Sequence, residues 1–168
     1  MTQANAKTQS KTLRRLIAAA VFAAMTCALT AAFPIPMFNG YFNLGDTIVL
    51  LGAFLLGGPY GIADLLLGYT VYAPATLVIK ALVALTAGAI YRRLPKRLPG
   101  LLLAAVAGEL VMCAGYFAFE CVVYAPATAS ASLLATNLPQ AGINAAIATL
   151  LLLALRRSRL LDKWERGF

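Results

Sequence analysis

The stretch that decides the fold is LGDTIVLLGAFLLGGPYGIADLLLGYTVY, residues 44–72. It is almost entirely apolar, yet it is longer than the roughly 20 residues that one membrane span needs. Its middle carries the sequence GGPYG at residues 57–61, where proline removes a backbone donor and the glycines permit a turn. The stretch therefore predicts two short helices joined by a tight bend.

The rest of the chain is as apolar as this stretch. Of its 168 residues, 61% are hydrophobic and 12% are charged, which is more apolar side chain than a water-soluble domain of this size can bury. Four more segments have the length and composition of spans: residues 13–33, 75–91, 101–123 and 136–155. The sequence therefore predicts an all-α membrane protein with six transmembrane helices in one domain, residues 13–156.

The basic residues give the orientation of these spans. All of them except Lys80 lie before or at the very start of the first span, between the segments 75–91 and 101–123, or at the C-terminus. If all three clusters are cytoplasmic, as the positive-inside rule indicates, an even number of crossings separates consecutive clusters. Six spans satisfy this condition, and so do four spans with a re-entrant hairpin at residues 44–72.

Both termini are accordingly predicted to be cytoplasmic. Residues 1–12 are polar and predict a disordered N-terminus, and residues 157–168 form a basic tail. The apolar run 16–33 resembles that of a signal peptide but is long enough to span, which favours its retention. Because the formal net charge of +8 is confined to the three clusters, it indicates orientation and not binding to nucleic acid.

Several kinds of chemistry are excluded by what the chain lacks. It contains no histidine, and Cys27, Cys113 and Cys121 have no CxxC spacing, which argues against a zinc site or a disulfide framework. It has no GxxxxGK[ST] loop and no cytoplasmic segment large enough to hydrolyse ATP. We therefore expect no enzyme and no cofactor in this chain, and any ATP-driven step belongs to a partner.

Five ionisable residues fall inside predicted spans. Placing such a side chain in the membrane is energetically costly, so residues of this kind usually have a structural or functional role. Lys80 and Glu120 lie at similar depth near the outer ends of neighbouring spans, so they predict either an outward-facing pocket or a structural ion pair, with Lys80 snorkelling as a third interpretation. Asp46 and Asp64 are predicted to cap helix starts. Glu109 shares one helical face with Cys113, Tyr116 and Glu120, and this face is predicted to point into the bundle.

Polar residues of the last span and of the outer loops complete the candidate site. Asn137, Gln140 and Asn144 share a face; the first two are predicted to contact a ligand and Asn144 to join two helices. The predicted outer loops, 34–45, 70–74 and 124–135, contain no lysine or arginine, which suits a neutral aromatic ligand. The predicted ligand contacts are Asn39, Tyr41, Asn43, Tyr72, Lys80, Tyr116, Glu120, Asn137 and Gln140.

Two short patterns have alternative interpretations. The hexapeptide VYAPAT occurs at residues 71–76 and again at 123–128, which indicates either the structural duplication found in transporters or merely similar turn chemistry. In the first span, Ala19 with Ala23 and Ala20 with Ala24 form small-xxx-small pairs that let another helix approach closely. That helix belongs either to this chain or to a partner protein.

A resemblance rests on several of these motifs taken in order. They are YFNLGD at 41–46, ADLLLGY at 63–69, YAPAT at 72–76 with Lys80, ELVM at 109–112, and GYF at 115–117 with Glu120. Together they resemble the substrate-binding S components of energy-coupling factor (ECF) transporters, in the branch labelled riboflavin-type.

The resemblance implies a six-helix vitamin binder in a bacterial plasma membrane, with an outward pocket roofed by the first outer loop. Such a protein docks on a membrane-embedded T component and two cytoplasmic ATPases, and the alanine pairs match the family's docking motif, so that Ala19, Ala20, Ala23 and Ala24 would face the T component. The branch is associated with riboflavin, vitamin B6 and hydroxymethylpyrimidine; the tyrosines, amides and Lys80 favour a compact pyridine or pyrimidine ring. The rival class is a stand-alone secondary transporter that uses its buried charges as a proton relay.

Overall fold

The computed structural model describes residues 3–37, 40–57, 72–95 and 97–158, with the side chains of all of these except 3–8, 40, 41 and 73. Six α-helices and one two-stranded antiparallel sheet make up this part of the chain. In chain order the elements are α1 (Gln3–Ala32), β1 (Ile35–Met37), β2 (Gly40–Phe42), α2 (Gly45–Leu56), α3 (Ala73–Arg93), α4 (Leu98–Val123), α5 (Pro126–Ser132), a π-helical turn (Leu133–Asn137) and α6 (Leu138–Arg157).

Four helical stretches of the described residues are long and apolar enough to cross a membrane. They are Gln9–Ala32, Pro74–Arg93, Leu98–Val123 and Pro126–Arg157. Helix α2 is apolar but shorter, and it ends at Leu56. Gly57, the first residue of the GGPYG sequence, follows it with φ of 94°, a conformation that glycine adopts without strain. The all-α membrane class is confirmed; the count of six spans stays a prediction, because the second half of the interrupted stretch, with Asp64, lies outside the described residues.

Three segments differ from what the sequence predicts. Helix α1 begins at Gln3, so residues 3–12 are helical where their polar composition predicts disorder. The predicted loop 34–45 contains the β1–β2 hairpin, in which Ile35 pairs with Phe42. The predicted loop 124–135 is mostly helix, because Pro126 stands in the first turn of α5, where its fixed φ favours a helix, and the π-helical turn continues directly into α6.

Helix α2 lies at the centre of the bundle and packs against α1, α3 and α6. Its apolar side chains are almost all buried. Helices α3 and α4 also approach closely: a Cβ added at Gly115 of α4 would lie 2.7 Å from Cγ1 of Ile79. The small glycine is therefore required for this packing.

The C-terminal ends of α3 and α6 lie together. Each ends in two arginines, Arg92 and Arg93 in α3 and Arg156 and Arg157 in α6, which is favourable at the negative end of the helix dipole. The guanidinium of Arg156 donates a hydrogen bond to the hydroxyl of Tyr91. The bundle therefore has a basic end, and Tyr72, where α3 begins, lies at the opposite end.

Candidate functional site

A buried polar network, here called the polar junction, joins α2, α3 and α6. It consists of Asn43, Asp46, Lys80, Gln140 and Asn144. Lys80 of α3 forms an ion pair with Asp46 of α2, and the two residues are only 1% and 0% exposed. Removing one partner of such a pair would leave an uncompensated charge in an apolar bundle.

Asp46 has only part of the role that its position in the sequence predicts, because it stands at the positive end of the helix dipole but does not cap the free N–H groups. It lies in the first turn of α2, but the backbone N–H groups there have other acceptors: Oδ1 of Asn43 accepts a hydrogen bond from the N–H of Gly45 at 2.8 Å, and Oδ1 of Asn144 accepts one from the N–H of Thr47. The carboxylate of Asp46 turns to Lys80 because α3 brings an ammonium group within reach, and a buried ion pair is stronger than an interaction with a helix dipole.

Gln140 and Asn144 connect α6 to the start of α2. Nε2 of Gln140 donates to Oδ2 of Asp46 at 3.0 Å, and its Oε1 accepts from the backbone N–H of Asn43 at 3.1 Å. Oδ1 of Asn144 accepts from both the backbone N–H and the hydroxyl of Thr47, and its Nδ2 donates to the carbonyls of Asn43 and Gln140. The prediction that Asn144 joins two helices is confirmed.

Glu109 brings a carboxyl group from α4 toward this network. It is 1% exposed and lies within electrostatic reach of Asp46 and Lys80. Neither of its carboxyl oxygens has a hydrogen-bond partner among the residues that the structure describes. As predicted, the face of α4 that carries Glu109, Cys113 and Glu120 points into the bundle.

A second group of residues, here called the aromatic cluster, lies where α3 begins and α4 ends. It consists of Tyr72, Tyr116, Phe119 and Tyr124 with the carboxyl group of Glu120. The ring of Tyr72 is central: its centroid lies 5.1 Å from that of Phe119 and 6.2 Å from those of Tyr116 and Tyr124. These spacings are those of packed aromatic pairs.

Glu120 is 2% exposed, and its two oxygens differ. Oε1 accepts hydrogen bonds from the hydroxyl of Tyr72 at 3.2 Å and from the hydroxyl of Ser132 at 3.0 Å. Oε2 has no partner within the described ranges. Burial, followed by the hydrogen bond with Tyr124, raises the pKa of Tyr72 above its ordinary value, so this phenol keeps the proton that it donates.

Tyr116 connects the aromatic cluster to the polar junction. Its hydroxyl is 2.9 Å from that of Thr76, and Nζ of Lys80 lies 5.9 Å from the centroid of its ring, within the range of a cation–π interaction. Lys80 and Glu120 therefore belong to neighbouring groups, but Lys80 forms its ion pair with Asp46, and Glu120 accepts its hydrogen bonds from hydroxyl groups. The pairing of Lys80 with Glu120 that their depths suggest is replaced by these two arrangements.

The remaining predicted contacts are distributed as follows. Asn137 is buried in the π-helical turn, and its Nδ2 has no partner within the described part of the chain. Asn39 lies outside the described residues, and Tyr41 belongs to β2 with its side chain outside them. In α1, Ala20 and Ala24 are exposed while Ala19 and Ala23 are half-buried.

Tyr124 belongs to the aromatic cluster but is missing from the predicted ligand contacts, and the repeated hexapeptide is the signal that could have found it. In both copies a tyrosine stands just before a helix that has proline in its first turn. Tyr72 precedes α3, and Tyr124 precedes α5. The structure brings these two tyrosines together. No motif in the sequence marks Phe119 or Ser132 as part of the site. An apolar residue in a predicted span and a serine in a predicted loop are both too common to be informative.

Comparison of the sequence with known proteins identifies the family to which it is similar. Residues 10–157 match the family model described as "ECF-type riboflavin transporter, S component". A protein of Pyrococcus woesei, described as "Uncharacterized protein in gap 3'region", is 36% identical over 110 residues, which is 58% of this chain and 71% of that protein. The family match includes every residue of both the polar junction and the aromatic cluster.

Proposed function

The chain belongs to the family of S components of ECF-type transporters, and from this premise we propose that it captures a vitamin or vitamin precursor outside the cell for ATP-driven uptake by partner subunits. An S component is the substrate-specific part of such a transporter and not an enzyme. The observation that carries the proposal is Glu120, a buried carboxyl group with one oxygen unbonded in the described structure, set among aromatic rings.

The proposed ligand is a compact pyridine or pyrimidine ring, vitamin B6 or hydroxymethylpyrimidine. Carboxyl, phenol and amide groups next to packed aromatic rings are suited to a small flat ring with polar substituents. The close packing of Gly115 against Ile79 also leaves little space between α3 and α4 next to Tyr116. The predicted contacts at Asn39, Tyr41 and Asn137 belong to this proposal as well. The predicted contacts at Asn43, Lys80 and Gln140 are proposed instead as framework, because they are bonded within the polar junction.

Riboflavin is the second candidate ligand. It is favoured by the description of the matching family model, which names riboflavin. Riboflavin has a fused three-ring system and a long polar chain, so it needs a larger cavity than a single ring does. The two candidates therefore predict different outcomes with the same purified protein.

The proposed orientation has the aromatic cluster facing outward and both termini in the cytoplasm. In support, the basic end of the bundle, where Arg156 contacts Tyr91, is opposite to the end at which α3 begins. Positively charged segments are retained on the cytoplasmic side. In a bacterium the chain would then lie in the plasma membrane as a multi-pass protein.

The test of the proposed function uses the chain purified alone in detergent. Its unfolding temperature is measured with riboflavin, pyridoxine, pyridoxamine, hydroxymethylpyrimidine, thiamine and pantothenate, since a ligand that binds only the folded state stabilises it by about 2.7 kcal/mol at a hundred times its Kd. We expect a large shift with a B6 or pyrimidine compound. A shift with riboflavin alone would identify the second candidate, and no shift with any compound would contradict vitamin binding.

Partner docking is tested separately on α1. The proposed partners are a T component and two ATPases, and Ala20 and Ala24 are exposed on α1. We expect Ala20→Trp to prevent co-purification with the T component while the vitamin still binds, because tryptophan blocks close helix approach. Leu150→Trp, at a residue 65% exposed on α6, is the matched control. Vesicles that contain this chain alone should show no uptake, whereas uptake would favour a stand-alone secondary transporter.

A further inference from the structure

The interior of the bundle holds more acidic groups than basic ones. Between residues 16 and 91 and between 98 and 155 the sequence contains four carboxyl groups and a single ammonium group, that of Lys80. Lys80 is already paired with Asp46. Glu109 and Glu120, both buried, are therefore left without an ammonium or guanidinium group of their own in the described structure.

The residues outside the described ranges cannot supply the missing cation from within the spans. The segment 58–71 contains Asp64 but no lysine or arginine, and residues 38 and 39 are phenylalanine and asparagine. A buried carboxylate without a positive partner is costly in a membrane, and acidic groups retained there usually serve a function. Each of these carboxyl groups is therefore either kept protonated or paired with a positive charge from outside the chain.

Glu120 is the better placed of the two carboxyl groups to receive it. Oε1 is held by the hydroxyls of Tyr72 and Ser132 at 3.2 and 3.0 Å, so the carboxyl group is fixed in orientation while Oε2 is unbonded among the described residues. The rings of Tyr116, Phe119 and Tyr124 surround that of Tyr72. Aromatic rings attract cations, and a carboxylate adds a charge-assisted hydrogen bond.

Glu109 differs from Glu120 in each of these respects. No hydrogen bond orients either of its oxygens in the described part of the chain, and its nearest charged neighbours, Asp46 and Lys80, already form a pair. It also lies three helical turns further from the end of α4 at which the aromatic cluster stands. It therefore provides a matched comparison: a second buried carboxyl group on the same helix face, outside the aromatic cluster.

We propose that the ligand of this protein carries a positive charge, in contrast to the neutral ligand that the outer loops suggest, and that its ammonium group binds Oε2 of Glu120 within the aromatic cluster. This inference rests on the proposed function and narrows its substrate class. Among vitamins built on one ring, it selects the aminomethyl form over the hydroxymethyl form. It also selects against anionic compounds, because a carboxylate or phosphate of the ligand would meet Glu120.

Two matched pairs of compounds test the charge. Pyridoxamine and pyridoxine differ in an aminomethyl for a hydroxymethyl group, and 4-amino-2-methylpyrimidine can carry either group at its 5-position. The Kd of each compound is measured by titration calorimetry on the full chain in detergent at pH 7. In the pair that binds, we expect the amine to bind about tenfold more tightly, the difference between a charge-assisted and a neutral hydrogen bond.

Two variants test which carboxyl group of the protein binds the ammonium group of the ligand. Glu120→Gln keeps an oxygen for Tyr72 and Ser132 but removes the negative charge, and we expect it to abolish the preference for the amine. Glu109→Gln is the control and should retain the tenfold ratio. The unfolding temperature without ligand shows whether each variant is folded; if Glu120→Gln does not fold, the ratio in the unaltered chain still decides whether the ligand is a cation.

The outcomes separate this inference from the proposed function. Equal binding of the two members of a pair, or tighter binding of the hydroxymethyl compound, would overturn the inference and leave vitamin binding intact. Loss of the preference in Glu109→Gln but not in Glu120→Gln would overturn the assignment to the aromatic cluster. If no compound of either pair or of the wider vitamin panel binds, the proposed function itself fails.

Discussion

The polar junction and the aromatic cluster are adjacent, yet they differ in how completely their polar groups are bonded. In the junction, Asn144 uses all four of its hydrogen-bonding positions and Gln140 bonds through both ends of its amide. In the cluster, Oε2 of Glu120 has no partner within the described ranges. A buried network that is fully bonded fixes a structure, whereas a partly bonded one is costly unless something else completes it.

From this difference we infer that the polar junction serves as the framework of the bundle and the aromatic cluster as its binding site. The junction joins α2 to α3 through the ion pair of Lys80 with Asp46, and α2 to α6 through two amide side chains. Its loss should therefore reduce stability. Loss of groups in the aromatic cluster should instead mainly reduce ligand affinity, since these groups contribute less to the stability of the ligand-free protein than those of the polar junction do.

The largest effect is expected from breaking the ion pair. Lys80→Met leaves Asp46 as a buried charge without its cation, which should lower the free energy of unfolding by about 3 to 5 kcal/mol. Chemical unfolding in detergent, followed by circular dichroism, measures the change. In the double variant Lys80→Met with Asp46→Asn most of this loss should be recovered, because residue 46 no longer carries a charge without its partner; a double variant as unstable as the single one would show that the pairing is not the cause.

The next largest effect is expected where the two regions meet on α3 and α4. Gly115→Ala inserts a methyl group 2.7 Å from Cγ1 of Ile79, and such overpacking should cost about 1 to 3 kcal/mol. Gly142→Ala is the matched control, since a Cβ there meets nothing within 4 Å, and it should raise stability by about 0.5 to 1 kcal/mol. Thermal unfolding of both variants compares them, and equal stability would contradict the close approach of α3 and α4.

A smaller loss is expected from the amide that joins α2 and α6. Asn144→Ala removes its hydrogen bonds to Thr47, Asn43 and Gln140, and for interhelical bonds in a membrane protein this should cost about 1 to 2 kcal/mol. Affinity for the vitamin should be unchanged in the folded fraction. A variant with full stability but weak binding would place Asn144 in the ligand site.

The smallest change in stability is expected in the aromatic cluster. Tyr72→Phe removes the hydroxyl that donates to Glu120, and we expect stability to fall by about 0.5 to 1.5 kcal/mol, the value of one hydrogen bond, and affinity to fall because Glu120 is less firmly oriented. Tyr91→Phe, at the opposite end of the bundle, removes a comparable hydroxyl and should leave affinity unchanged. Calorimetric titration of both variants distinguishes the two ends.

The sequence predicted the long helices well, because apolar length and the positions of proline, glycine and arginine determine them. It also placed Asn144 between helices and directed Glu109 and Glu120 inward from their spacing alone. It could not pair Lys80 with Asp46, which are 34 positions apart, since that pairing depends on the relative height of α2 and α3. The helix at Pro126–Ser132 was missed because its small and polar residues show no apolar periodicity.

The most direct test of this account compares Glu120→Gln with Asn144→Ala, one variant from each region. For both, the unfolding temperature without ligand and the Kd for the tightest-binding vitamin are measured on the same preparations. We predict that Glu120→Gln retains its stability and loses about tenfold in affinity, while Asn144→Ala loses stability and retains its affinity. The reverse result, with Glu120 needed for folding and Asn144 for binding, would contradict the division into framework and binding site.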